Sequence, residues 1–269
     1  MMSSSRQVIS GLRERLDRRR VAAEFAGVSA ELFAVADLLG REQQLRAALS
    51  YAGQPVEARM GMVDSIFGER VSATTLDILK DVSGQRWPGS AELLEAVEDL
   101  AAQSAFMVAE AEGTLEGVEE QLFAFSQAAS GSAELQMALT DPSVGPAQKA
   151  GLVDTLLANR AAPQTSEVLG YAMSHLRGRR VDSVLDSLID LAGEQRDRSI
   201  AEVRVARPLE PDQAQRLAAV LSRINGRDVR LNVIVDPEVI GGISVRIGSE
   251  VVDATVASRM EQARRALAG

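Results

Sequence analysis

The sequence predicts an α+β protein: two tandem all-α helical bundles followed by a small C-terminal α/β domain ordered β-α-β-β-β-α. Three observations predict it. Apolar residues recur at helical spacing from the N-terminus to about residue 196. Within that region the sequence repeats itself at a fixed offset. From residue 197 onward the period shortens to two, the mark of strands. The expected boundaries are 1–97 for the first bundle, 98–196 for the second and 197–269 for the α/β domain.

The repeat is read directly. Leu32-Phe33-Ala34 recurs as Leu122-Phe123-Ala124, and Leu45 and Ala48-Leu49 recur as Leu135 and Ala138-Leu139. Gly61-Met62-Val63-Asp64 recurs as Gly151-Leu152-Val153-Asp154, so the offset is 90 throughout. Residues 32–64 and 122–154 share nine identities in 33 ungapped positions. LLEAVEDLA (93–101) then resembles VLDSLIDLA (184–192) at an offset of 91, one residue having been inserted. Two amphipathic regions alike only in composition would not hold one register over four helix-sized blocks.

In the first unit, Leu32, Val35, Leu38 and Leu39 fall on one helical stripe. The short block EQQLRAALS follows, and Pro55 fits the start of a helix carrying Met60, Val63, Ile66 and Phe67. Thr74 or Thr75 is positioned to cap TLDILKDVSGQRW; Ser90 is positioned to cap AELLEAVEDLAAQSAFMVAEAEG, with Gly113 as its stop. The second unit repeats the plan through TDP (140–142), GPAQKAGLVDTLLA, TSEVLGYAMSHLRG and VDSVLDSLIDLAGEQRDRS. Near residue 200, Ala201, Val203 and Val205 alternate with Glu202 and Arg204, and Pro208 ends that strand. Pro211 opens a helix with Leu217, Val220, Leu221 and Ile224 on one face, closed by Gly226. Val229 to Val235 alternates again until Asp236-Pro237. Ile243, Val245 and Ile247 form a third strand, turned by Gly248-Ser249 into Glu250-Val251-Val252. Val256, Met260, Ala263 and Leu267 mark a last helix.

Composition narrows the function. Hydrophobic residues make up 46% of the chain but aromatics only 3%, so the core is built from Ala, Leu, Val and Ile, which suits helix-on-helix packing. The net charge is −9, and phosphate binding needs clustered Lys and Arg, so nucleic acid is not an expected partner. The only lysines are Lys80 and Lys149. With no cysteine, disulfides, thiolate catalysis and Cys-based metal sites are excluded. No apolar run approaches the roughly 18 residues of a membrane span, and MMSSSRQVISGLRERLDRRR lacks the apolar stretch of a secretion signal. A cytoplasmic soluble protein is the expectation.

The candidates for chemistry are few. A phosphate loop needs glycines between a strand and a helix, and Gly241-Gly242 is followed by strand text instead. A glycine pair there serves backbone conformation and close approach. The single histidine, His175 in YAMSHLRGRR, reads as a surface or boundary residue at a helix C-terminus. Glu95, Glu98 and Asp99 have solvent-face spacing, and the clusters RRR (18–20) and RGRR (177–180) read as solvated helix ends. Trp87 and the six phenylalanines anchor the bundles or a groove for a partner helix. No catalytic, cofactor-binding or metal-ligating residue is identified, so no cofactor is expected. Binding or scaffolding is the leading class, with helical bundles accepting an amphipathic helix. An adaptor of some other assembly is the alternative, and an enzyme, resting only on Gly241-Gly242 and His175, is the third.

VDPEVIGGISVRIGSEVVDATVASRMEQARRAL (235–267) resembles the C-terminal signature of the delta subunit of F-type ATP synthases, the oligomycin-sensitivity-conferring protein family. Asp236, Pro237, Gly241, Gly242, Gly248 and Asp253 match that pattern; Pro208 and Leu209 in ARPLEPDQ match the segment before it, and TDP (140–142) and Lys149 match the helical domain. The resemblance covers about residues 98–269; the first unit is extra, as in long delta subunits of actinobacterial type. It implies a non-catalytic subunit of the peripheral stalk, present once per complex on the cytoplasmic face of the cell membrane without entering it. Its implied partners are N-terminal helices of alpha subunits and the C-terminal end of the b-type stalk. The family's groove lies between the first and fifth helices of a bundle, which places it at residues 98–113 with 165–178, and at 6–20 with 74–86. The groove candidates are therefore Phe106, Val108, Val168, Leu169, Ala172 and Leu176, with Leu79, Val82 and Trp87 in the first bundle.

Overall fold

The structure is a computed structural model that describes residues 2–18, 25, 27–157, 160–197, 200–225, 229–236, 243–247 and 250–253. It divides into two compact units, Met1–Ala192 and Gly193–Gly269.

The first unit is helical. Its elements are α1 (Met2–Arg18), α2 (Val28–Arg41), α3 (Gln43–Ser50), α4 (Val56–Phe67), α5 (Ala73–Gly84), α6 (Ser90–Ala111), α7 (Leu115–Ser130), α8 (Ala133–Thr140), α9 (Pro146–Leu157), α10 (Pro163–Ser174) and α11 (Val181–Asp197), the last running a few residues past the unit's end. The repeat is structural as well as sequential. Adding 90 to the bounds of α3, α4 and α5 (43–50, 56–67, 73–84) gives those of α8, α9 and α10 (133–140, 146–157, 163–174) residue for residue.

The two copies meet in α6. This helix passes through residue 97 without a break and contributes to both bundles. Ordinary amphipathic helices bury one stripe, but Leu100, Ala101, Ala102, Gln103, Ser104, Ala105 and Phe106 are all buried. A helix covered on every side is a core helix, and the small residues in this run let neighbours approach closely. Its N-terminal half offers Leu93, Leu94 and Val97 to the first bundle; Gly113, at φ 73°, ends the helical path. One continuous hydrophobic core runs from Ile9 and Leu12 on α1 to Leu191 on α11.

The expected stripes are present, with Leu32, Val35 and Leu39 buried. The caps differ. Ser72, not Thr74 or Thr75, is the N-cap of α5: its hydroxyl accepts from the Thr75 amide at 3.3 Å, and Thr75 itself is buried. Ser90 is the first residue of α6, whose N-cap is Gly89. Glu31 on α2 reinforces the α5 cap, accepting from the Ser72 amide at 3.0 Å and its hydroxyl at 2.7 Å. Burial raises the Glu31 pKa, but hydrogen bonds from Thr75 and Ser72 outweigh it and leave the carboxyl below its ordinary value. A lowered folded pKa gives stability above the unfolded value of about 4.3 that is lost as pH falls through the folded value. Glu31→Gln is expected to cost about 0.5 kcal/mol at pH 7, solvent screening included. Urea titrations should show the gap to the parent closing by pH 3.

The second unit contains β1 (Ile200–Val205), α12 (Pro211–Asn225), β2 (Arg230–Val235), β3 (Ile243–Ile247) and β4 (Glu250–Asp253). The sheet order is β2-β1-β3-β4, with β1 parallel to β2 across the α12 crossover and antiparallel to β3. Ile247 pairs with Glu250, the register of a two-residue hairpin at the expected place. Ala201, Val203, Val205 and Val245 are buried, while Glu202 and Arg204 turn outward and pair at 2.9 Å. On α12, Leu221 is buried and Leu217 packs on this core, but Val220 and Ile224 are exposed. The buried row runs 217–221; positions 220 and 224 lie on the neighbouring row. The expected final helix and Gly226 lie outside the described residues.

Candidate functional site

The two helix pairs singled out in the sequence are α6 with α10 and α1 with α5. Phe106, Val168, Leu169, Ala172 and Leu176 are buried, as are Leu79, Val82 and Trp87; Val108 is half-buried. Eight of the nine are therefore buried, and two of them, Val168 and Ala172, also line a cleft. Trp87 donates its indole N–H to the Val82 carbonyl at 2.9 Å, so both its ring and its polar edge are satisfied inside the first bundle.

Of the C-terminal signature, Pro208 is exposed and Leu209 packs on the sheet core. The Asp236 amide donates to Val205 at 2.9 Å and extends the β1–β2 pairing. Asp253 ends β4. Pro237, Gly241, Gly242 and Gly248 lie outside the described residues. In TDP, Asp141 accepts from the Ser143 amide and hydroxyl at 2.8 and 2.7 Å, which lowers its pKa. Lys149 is buried on α9 at the position that Arg59 holds on α4, 90 residues earlier.

The most elaborate polar site joins the two copies. Three residues of α2, one turn apart, face two of α10 and its C-cap residue, also one turn apart. The Ser29 hydroxyl lies beside Glu167, whose pKa burial raises and Ser29 partly restores. Phe33 stacks on Tyr171 with ring centroids 4.3 Å apart. Asp37 meets His175 Nε2 at 3.2 Å, and His175 stacks on Tyr171 at 4.2 Å. Because both rows ascend together, the first copy lays α2 parallel to α10 of the second.

Beside this row, Glu98 on α6 collects three donors. Arg177 Nη1 binds one carboxylate oxygen, the Tyr171 hydroxyl donates to the same oxygen at 3.1 Å, and Arg179 binds the other at 3.0 Å. The loop achieves this reach through left-handed backbone at Arg177 (φ 49°) and Gly178 (φ 81°). Burial pulls the Arg177 pKa down, but Glu98 outweighs it and leaves it raised. Burial and the Glu98 charge push the Tyr171 phenol up, so it stays a neutral donor. Arg13 on α1 reaches Asp99 at 2.8 Å. A cleft of about 260 Å³ lies against these groups, walled by Phe33, Ala102, Val168, Ala172, Val184 and Leu188. Burial, then the charge of Asp99, raises the Glu95 pKa there.

Several sequence expectations are corrected here. Arg177 and Arg179 are not a solvated helix end, since both are committed to Glu98. Glu98 and Asp99 are not solvent-face carboxylates, because Glu98 pairs with Arg177 of the α10–α11 loop and Asp99 with Arg13 of α1. His175 is a boundary residue at the C-cap of α10, as read. The signal that finds this site is a comparison of the copies. At an offset of 90, Tyr171 stands where the first copy has Asp81, His175 where it has Gln85, and Arg177 where it has Trp87. Those departures mark the residues that cross between copies.

Among the described residues no group of three or more His, Asp or Glu could hold a metal ion, and no helix is long and apolar enough to cross a membrane. What this site offers is mechanical: stacked rings and ion pairs that bind two bundles into one body.

Comparison with known proteins agrees with the resemblance in the signature. The family model described as ATP synthase delta (OSCP) subunit matches residues 97–267. The subunit named ATP synthase subunit delta of Streptomyces griseus is 38% identical over 271 residues, covering all of both chains. That of Salinispora arenicola is 39% identical over 258 residues, covering 95% of this chain and 94% of its own. That of Thermobifida fusca is 36% identical over 269 residues and also covers both chains entirely. The first bundle is thus shared with actinobacterial relatives, and the chain belongs to the ATP synthase delta (OSCP) subunit family.

Proposed function

We propose that the chain is the non-catalytic stator link of a proton-translocating F-type ATP synthase. It joins the catalytic alpha/beta head to the b-type stalk so that rotation is coupled to ATP synthesis. The observation that carries this reading is the end-to-end match to delta subunits, first bundle included. A stator link must transmit torque without yielding, and a body whose two bundles share α6 and are tied by Glu98 suits that demand. The helical unit holds N-terminal helices of alpha subunits, and the α/β unit meets the C-terminal end of the b-type stalk. One copy serves each complex, on the cytoplasmic face of the membrane and peripheral to it. Nanomolar binding, about −12 kcal/mol, is the scale such a joint needs.

The interior placement of Phe106, Val168 and Leu169 moves the helix contact outward. A partner lying on α6 and α10 meets the half-buried Met107, Val108 and Gly170 instead. Titrating the full chain with a peptide of its own alpha subunit's N-terminus, by calorimetry and Trp87 fluorescence, tests the head contact. Two peptides per chain are expected, one per bundle. One peptide would confine the contact to a single bundle, and no binding by a folded chain would overturn the head contact.

A further inference from the structure

The two copies use one helix face differently. On α2, Phe33 is 7% exposed, with Tyr171 of α10 stacked on it; on α7, its counterpart Phe123 is 55% exposed. The α2 row Ser29, Phe33, Asp37 maps at an offset of 90 onto Glu119, Phe123, Gln127 of α7. Glu116, Glu120, Phe123 and Gln127 are all exposed and follow one another at spacings of four, three and four, a single outward stripe. The chain therefore carries, uncovered, a second example of the face that its first copy uses to grip a helix.

Charge says what that helix is like. Residues 87–148 contain no Lys, Arg or His and eleven Asp or Glu, more negative charge than the net −9 of the whole chain. Glu98 and Asp99 are answered by arginines from outside this stretch. The α7 sequence LEGVEEQLFAFSQAAS has three glutamates and no base. Where the first copy's face is covered, the covering segment brings a ring to Phe33 and an imidazole to Asp37. An aromatic flanked by carboxylates calls for the same chemistry from outside.

We infer that the α7 face around Phe123 docks an amphipathic helix of another subunit, one that sets an apolar or aromatic anchor on Phe123 and basic residues against Glu116 and Glu120. This surface is separate from the α6–α10 pair, and the inference rests on the chain being part of the synthase. A second copy of this chain is a poor occupant, because the ring that covers Phe33 is already committed within the molecule.

The chain has no cysteine, so Gln127→Cys gives a single labelling site. The labelled variant, carrying a benzophenone maleimide, is assembled into ATP synthase, purified and irradiated. The expected result is a cross-link to one basic helical segment of another subunit. Its yield should fall at least fivefold with Phe123→Ser and with the pair Glu116→Gln and Glu120→Gln, while far-UV circular dichroism of the variants stays unchanged. A chain that co-purifies with the synthase but cross-links only to itself, to a segment without basic residues, or to nothing overturns this inference alone. A chain absent from purified synthase overturns the stator reading and this inference together.

Discussion

Phe106→Ala is expected to destabilise the helical unit by about 3–5 kcal/mol, the cost of emptying a large buried aromatic site. Phe106 is fully buried on the C-terminal half of α6, within the second copy. The effect should nonetheless be read at Trp87, the only tryptophan, which lies in the first copy. Because α6 and the core are continuous, Trp87 fluorescence and far-UV circular dichroism of the helices should lose stability together in urea. If the Trp87 transition stays at the parent midpoint while helical signal is lost early, the two bundles unfold independently and the shared core does not couple them. Phe123→Ala, by contrast, removes an exposed ring and should change stability by less than about 0.5 kcal/mol.

Glu98→Gln is the second large effect. It leaves two guanidinium groups, 31% and 40% exposed, without their anion. Breaking a buried pair costs about 3–5 kcal/mol, but the partial exposure of both arginines brings the expectation to about 2 kcal/mol. Removing one of the stranded charges as well should recover part of it: the double variant Glu98→Gln, Arg177→Met is expected to be more stable than the sum of the single changes. Additive costs would mean that the pair contributes nothing beyond its separate residues.

Much of this architecture is legible in the sequence because it rests on local periodicity. The repeat at an offset of 90 places α3, α4 and α5 and their counterparts, and the switch to alternation after residue 197 places β1 and the hairpin. Capping is less legible, since Ser72, Thr74 and Thr75 are all competent cap residues and only their packing decides: Thr75 is drawn into the core, which leaves Ser72 outside to cap. The junction is the least legible. Glu98 and Arg177 are 79 residues apart, and helical spacing alone assigns a carboxylate to solvent. Nothing local tells Glu98 that a second bundle lies over it. Most of the groove candidates are buried for a related reason. Phe106, Val168 and Leu169 are large apolar residues of their helices, and such residues go to the core before they go to a partner.

ATP synthesis by energised membranes is the most direct test of the stator reading. Membranes would be stripped of this chain and then supplied with it again in purified form. If the chain is the link between head and stalk, proton-driven synthesis is lost on stripping, the detached head still hydrolyses ATP, and the full chain restores synthesis. Proton-driven synthesis that continues undiminished without the chain would contradict it.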